Sequence, residues 1–186
     1  IREDLFDVGL LGNDLNIFTF ETAKKLIRYG HVGVLVDAPQ DGSGRPYWVS
    51  YSPRDIIGWR TEKKEGRETL VQLRLAEKVI EPDGLYGEKE IEQVRLLTPG
   101  GYEIHRRDKE KSEWKIHEEG ATSLDVIPFA TAYSNRVGLL ESRPPMEDIA
   151  ELNLKHYQIS SDLDNMLHLS AVPFLAIFGY PASAEE

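Results

Sequence analysis

Glu68-Thr69-Leu70-Val71-Gln72-Leu73-Arg74-Leu75-Ala76-Glu77-Lys78-Val79 is the stretch that decides the fold class. Leu70, Val71, Leu73, Leu75 and Val79 read as a strand, with β-branched and leucine side chains interrupted by polar ones. Ile91 to Leu97, Tyr102 to Arg106 and Trp114 to His117 read the same way. Thr98-Pro99-Gly100-Gly101 and the charged run Asp108 to Ser112 have the chemistry of hairpin turns between them. The middle of the chain is expected to be an antiparallel sheet.

Toward the N-terminus the pattern changes. Gly12-Asn13-Asp14 marks a turn, and Thr19 is placed to cap a helix with Glu21 in its first turn and Phe20, Ala23, Leu26 and Ile27 on one stripe. Gly30 closes that helix. Val32 to Val36 is a near-continuous apolar run, as in a strand buried on both faces, and Asp37 to Gly44 is a polar turn. Tyr47, Val49 and Tyr51 alternate on the next strand. Ser52-Pro53-Arg54-Asp55 has the signature of a helix start, a capping hydroxyl, a first-turn proline and an acid, and predicts one short turn through Ile56, Ile57 and Trp59.

Toward the C-terminus, Ile127 to Tyr133 reads as a strand. Arg143-Pro144-Pro145 then introduces the longest periodic segment, with Glu147 and Asp148 in its first turn. Ile149, Leu152, His156, Ile159, Leu163, Met166 and Ser170 step alternately by three and four, a seam suited to packing on another helix or a sheet. A helix of about 25 residues is expected, twice the usual length. Pro173 stops it, and Phe174 to Phe178 read as a closing strand ended by Gly179. The fold class is therefore α+β: mainly antiparallel sheet with hairpins, one short N-terminal helix and one long helix near the C-terminus. Its expected parts are a helix-strand-strand lobe (1–60), antiparallel hairpins (61–126) and a strand, long helix and strand (127–186).

The chain has 186 residues, enough for one ordinary core or two small lobes. It contains no cysteine, which removes disulfides, thiolate metal sites and cysteine nucleophiles. It opens on Ile1 with neither an initiator Met nor a secretory pattern, so an excerpt of a longer protein is expected. No apolar run approaches the roughly 20 residues of a helical membrane span. Twenty-two Lys and Arg against 32 Asp and Glu give a net charge of −10, which repels nucleic acid at long range and speaks for solubility.

Local chemistry is sparse. His31, His105, His117, His156 and His168 show no metal-ligand spacing. His117-Glu118-Glu119 reads as a solvated strand end, and His156 as a structural histidine on the helix seam. Asp162, Asp164 and Asn165 resemble the start of a calcium loop, but its glycine and final glutamate are absent and the segment reads as helix. No GxSxG, GxxxxGK[ST] or GxGxxG is present, and Gly30-His31-Val32-Gly33 follows a helix where a phosphate loop precedes one. Glu118 with Glu119, and Glu147 with Asp148, are neighbours in sequence and do not converge on one substrate atom. Tyr47, Trp48, Tyr51 and Trp59 lack interleaved cations, so packing is their expected role. No catalytic, cofactor-binding or metal-binding residue is assigned, and no cofactor is expected.

A positive signal comes from the order of blocks. Leu26-Ile27-Arg28-Tyr29-Gly30, Val32 to Asp37, Arg45-Pro46-Tyr47-Trp48-Val49-Ser50-Tyr51-Ser52-Pro53 and Ile56-Ile57-Gly58-Trp59-Arg60 come first. Val94-Arg95-Leu96-Leu97, Ile127-Pro128-Phe129, Arg143 to Tyr157 and Ser160-Ser161-Asp162 follow, then His168, Pro173 and Gly179. This succession resembles the portal-like structural proteins of tailed bacteriophages and prophages, from about Ile17 onward. The resemblance implies a non-enzymatic subunit of a ring, commonly of about twelve copies, at one capsid vertex. It implies terminase and head-completion proteins as partners, DNA that passes without tight binding, no membrane, and a place in the virion after assembly in the host cytoplasm. The chain would then be a single portal-body-like fragment near the wing and stem, with Lys63 to Gly66 and Lys109 to Ser112 as exposed tips. Other readings are a tail or neck assembly or binding module, which electron microscopy separates from a ring, and a hydrolase whose carboxylates converge only in three dimensions.

Overall fold

The computed structural model describes residues 6–10, 12–39, 44–64, 66–107, 113–171 and 179. Two compact units divide the chain, Ile1–Pro145 and Met146–Glu186. The protein is α+β: antiparallel sheets, one helix before them and one long helix after.

In the first unit, α1 spans Leu15–Tyr29. Its N-cap is Asp14, whose carboxylate accepts from the Ile17 N–H at 2.8 Å, so the helix starts five residues before the Thr19 predicted from the sequence. The earlier start changes the covered face. Leu15, Phe18, Thr22 and Leu26 are half-buried, with Ala23 beside them, whereas Phe20 and Ile27 of the expected stripe are exposed. Phe18 meets Trp48 edge-on, and Lys25 Nζ donates to Ser50 Oγ at 2.7 Å. Gly30 ends the helix at φ 86°, as expected, with its N–H on the Leu26 carbonyl. A Cβ there would lie 2.5 Å from Ser142 Oγ and 2.9 Å from Pro144 N, so the returning chain also demands glycine.

β1 (His31–Asp37) is the centre of a three-stranded antiparallel sheet, flanked by β2 (Tyr47–Tyr51) and, from far along the chain, Phe129–Tyr133. Val32 and Leu35 are fully buried. The Phe129 ring lies directly over Gly33, where any side chain would collide with it. This pairing joins a strand of the expected third part to a strand of the first, so the lobes drawn from the sequence share one sheet.

The five-stranded meander runs β3 (Ile56–Lys64), β4 (Arg67–Asp83), β5 (Gly87–Thr98), β6 (Gly101–Arg107) and β7 (Trp114–Ala121), each paired antiparallel to the next. All four strands expected here are present, most of them longer at the ends. Ile56, Ile57 and Trp59 do not form the predicted helical turn. Asp55 does reach back to the Ser52 N–H and Oγ, at 2.9 and 2.7 Å, but the Asp55 carbonyl accepts from Ala76 N on β4. That bond turns the chain into a sheet, and Ile56 and Trp59 pack on the core as strand residues. The Thr98 to Gly101 turn forms as expected; Asp108 to Ser112 lie outside the described residues.

The core sits between the two sheets: Leu35 and Tyr51 from one, Ile56, Leu73, Leu75 and Leu97 from the other, with Ile127 and Leu140 beside them. β8 (Phe129–Tyr133) is followed by a short hairpin, β9 (Arg136–Gly138) and β10 (Glu141–Ser142), which carries the buried Leu140.

In the second unit, α2 spans Glu147–Ala171, 25 residues as the periodicity predicts. Its expected seam is not packed. No described residue of α2 is buried, and Ile149, Leu152, Ile159, Leu163 and Met166 are all exposed. Three-and-four spacing establishes an apolar stripe but not what covers it. Pro173 and the strand expected at Phe174 to Phe178 lie outside the described residues.

Candidate functional site

The densest polar cluster lies where the two sheets face each other. Leu73, Leu75 and Glu77 are alternate residues of β4, so Glu77 points the same way as two buried leucines. Gln93, Arg95 and Leu97 repeat that arrangement on β5, and Asp37 ends β1. Alternation thus drives two charged side chains inward, where each needs a partner.

The partners are all present. Arg95 Nη1 is 2.6 Å from Asp37 Oδ2, and Arg95 Nε is 2.9 Å from Glu77 Oε1. The second approach has the distance of an ion pair but not the angle of a hydrogen bond, so the buried Nε directs no bond there. Glu77 accepts instead from the Tyr51 hydroxyl and from Gln93 Nε2, both at 2.6 Å. Gln93 Oε1 accepts from Arg106 Nε at 3.1 Å, and Arg106 Nη1 is 2.7 Å from Glu81. Tyr47 donates to Asp37 Oδ2 at 3.1 Å.

These contacts set the electrostatics. Burial opposes the charge of Arg95, but the Glu77 and Asp37 carboxylates outweigh it and hold its pKa above the ordinary guanidinium value. Burial, then the charge of Glu77, pushes the Tyr51 hydroxyl far up; burial, then Asp37, raises that of Tyr47. Both tyrosines therefore stay neutral donors at physiological pH. Clefts of about 550 and 840 Å³ open on either side of the cluster and share Asp37, Tyr47 and Arg95 as their common wall. Within that wall each charge is already engaged by another side chain, and the arrangement fastens sheet to sheet.

The residues weighed from the sequence are scattered. His31 is buried at the start of β1, with Nδ1 2.7 Å from Ser142 Oγ, and burial lowers its pKa. His105 Nε2 is 2.8 Å from Glu103 on its own strand, His117 is exposed on β7, and His156 and His168 are exposed on α2. Glu118 accepts from the Tyr102 hydroxyl at 2.8 Å, a bond that raises the tyrosine pKa, while Glu119 points to the other face. Asp162, Asp164 and Asn165 are exposed within α2, and Glu147 and Asp148 occupy its first turn. Among the described residues, no group of three or more His, Cys, Asp or Glu side chains is gathered to hold a metal, and no helix is long and apolar enough to cross a membrane. Tyr51 and Trp59 pack on the core, and Trp48 is partly exposed against Phe18.

Asp37, Glu77, Gln93 and Arg95 were not singled out by sequence motifs. The usable signal was a charged residue in step with inward leucines, Glu77 two after Leu75 and Arg95 two before Leu97.

A family model, a phage-associated domain of unknown function (DUF4055), matches residues 145–186. The matched stretch begins at Pro145 and includes all of α2. No curated protein matches the chain.

Proposed function

We propose that this chain is part of the subunit of a portal-type ring of a tailed phage or prophage, with a role in assembly and DNA passage and no catalytic step. The observation that carries the reading is the match of a phage-associated family model to residues 145–186. That match falls on the longest block of the portal resemblance, which runs from Arg143 to Tyr157. The ordered blocks upstream add support, because all lie in one unit and the first four fall on consecutive elements, the end of α1, β1, β2 and the start of β3.

In this reading the subunit sits at a capsid vertex, is assembled in the host cytoplasm, and meets terminase and head-completion proteins. The net charge of −10 suits a wall past which a polyanion moves, since neutralising several phosphates would hold the DNA. Electron microscopy of the complete gene product tests the proposal. Rings with a central hole are expected. Discrete monomers overturn it, and tubes favour the tail or neck reading. A tight, salt-sensitive complex with duplex DNA at physiological salt counts against the weakly interacting wall.

A further inference from the structure

The seam of α2 from Ile149 to Ser170 advances by three and four in turn, six steps over 21 residues, a mean of 3.5. A stripe lying on a globular body follows the 3.6-residue turn, whereas a strict 3.5 period belongs to helices wound around one another. Every seam residue is exposed, and Ile149, Leu152, Ile159, Leu163 and Met166 each leave more than half of their surface in water. Ser170 does not interrupt the seam, because its hydroxyl donates back to the Met166 carbonyl at 2.6 Å. The period therefore asks for a helix as partner. The shorter α1 is already engaged in the first unit, with Phe18 against Trp48 and Lys25 on Ser50.

A second α2 fits, and its charges choose the direction. Laid antiparallel with Leu152 facing Leu163 of the second copy, every apolar seam residue meets a seam residue: Ile149 meets Met166, and His156 meets Ile159. Lys155 and Asp162 each stand one residue before a seam position, on the same flank, and this register sets Lys155 of each copy opposite Asp162 of the other. Both are exposed, and neither has an ion-pair partner among the described residues. At about 1.5 Å per residue they are roughly 10 Å apart on their own helix, too far to pair there. Laid parallel, His156 would stack on itself, Lys155 would border Ser160, and Asp162 would border Leu167, with no opposite charges meeting. The acids Glu147, Asp148 and Glu151 of both copies would also crowd at one end.

We propose that α2 pairs with the α2 of a second copy as a two-stranded antiparallel coiled coil, its register fixed by two Lys155–Asp162 contacts. At on the order of 100 Å² for each apolar seam residue, the two helices bury roughly 1,000 Å², the threshold of a specific interface. The dimer therefore forms in about the micromolar range and parts on dilution. A contact of this kind is isologous and complete with two copies. It is separate from the head-to-tail contact that a ring needs, and it stands or falls independently of the ring reading.

Sedimentation of the 186-residue chain across a range of concentrations tests the pairing. A monomer–dimer equilibrium is expected. Lys155→Asp and Asp162→Lys each bring like charges together in the antiparallel register, and each weakens dimerisation roughly tenfold. An equimolar mixture of the two variants recovers the wild-type affinity as a heterodimer, because each supplies the sign the other lacks; a chain carrying both substitutions recovers it too. No described residue of α2 is buried, so these exchanges leave the core of the first unit intact, and circular dichroism checks the helix. The chain has no cysteine, and Ser170→Cys, which meets its own copy only in a parallel pair, stays unlinked on oxidation. A monomer at every concentration, single variants that dimerise as well as the wild type, a mixture no better than its parts, or a Ser170→Cys disulfide overturns the pairing.

Discussion

Arg95 Nη1 on β5 lies 2.6 Å from Asp37 Oδ2 at the end of β1, and this ion pair links the five-stranded sheet of the first unit to its three-stranded sheet. Its partners are mostly buried, and Glu77 stands on the other side of the same guanidinium. Replacing the cation leaves two carboxylates facing each other out of water. Arg95→Met is therefore expected to cost about 3–5 kcal/mol, the range for breaking a buried pair from one side. Urea unfolding measures it. Asp37→Asn, which leaves the Glu77 contact, should cost less, and equal losses would show that the pair does not work as a unit.

Tyr51 tests the same cluster from the core side. Its hydroxyl donates to Glu77 at 2.6 Å, and a bond to a charged group contributes about 1.5–3 kcal/mol, the loss expected for Tyr51→Phe. Burial and Glu77 raise the Tyr51 pKa above the ordinary value of about 10. A raised folded-state pKa gives stability that is complete below the unfolded value and declines as pH rises past it. Between pH 8 and pH 10.5, the wild type should lose more stability than Tyr51→Phe. Parallel losses would mean that the hydroxyl is not protected.

Gly33 is a packing prediction. The Phe129 ring occupies the place of its missing side chain, and overfilling a packed site costs about 1–3 kcal/mol, the expected effect of Gly33→Ala. Shortening the ring makes room, so Phe129→Leu should cost less in the Gly33→Ala background than alone. Additive losses in a double-mutant cycle would refute the contact.

His31 gives an acid-side signature. Burial lowers its pKa, so the folded state binds its proton less readily than the unfolded chain, whose histidine titrates near 6.5. Stability from this group is present above that value and is lost as pH falls through it toward the folded-state pKa. His31→Gln should flatten the stability profile between pH 7.5 and 5.5. A slope unchanged by the substitution would assign the acid sensitivity to other groups.

Legibility followed the range of the interactions. Strands β4 to β7 of the meander were readable because hairpin neighbours in sequence are neighbours in space, and the 98–101 turn announces itself in Pro and Gly. The start of α2 was readable from Pro145 and its acids, and the end of α1 from Gly30. Ser52 to Asp55 was misread although its local hydrogen bonds form as a helix start would have them. The deciding bond comes from Ala76, twenty-one residues on. The polar cluster escaped for the same reason. Its members stand on β1, β2, β4, β5 and β6, and only packing brings Asp37 to Arg95 across 58 positions.

By itself the sequence determined which segments are strand and helix from β4 to β7 and in α2, the lack of a cysteine framework, the acidic balance and the ordered blocks behind the portal resemblance. These are properties of period, turn chemistry and composition, each written within a few residues. Only the tertiary structure decided that β8 closes on β1, that Phe129 requires Gly33, that Glu77 and Arg95 neutralise each other inside, and that Leu85 and Tyr86 in the β4–β5 turn are left exposed. Those outcomes depend on which surfaces exclude water together, and burial is a property of the assembled chain, not of any one stretch of it.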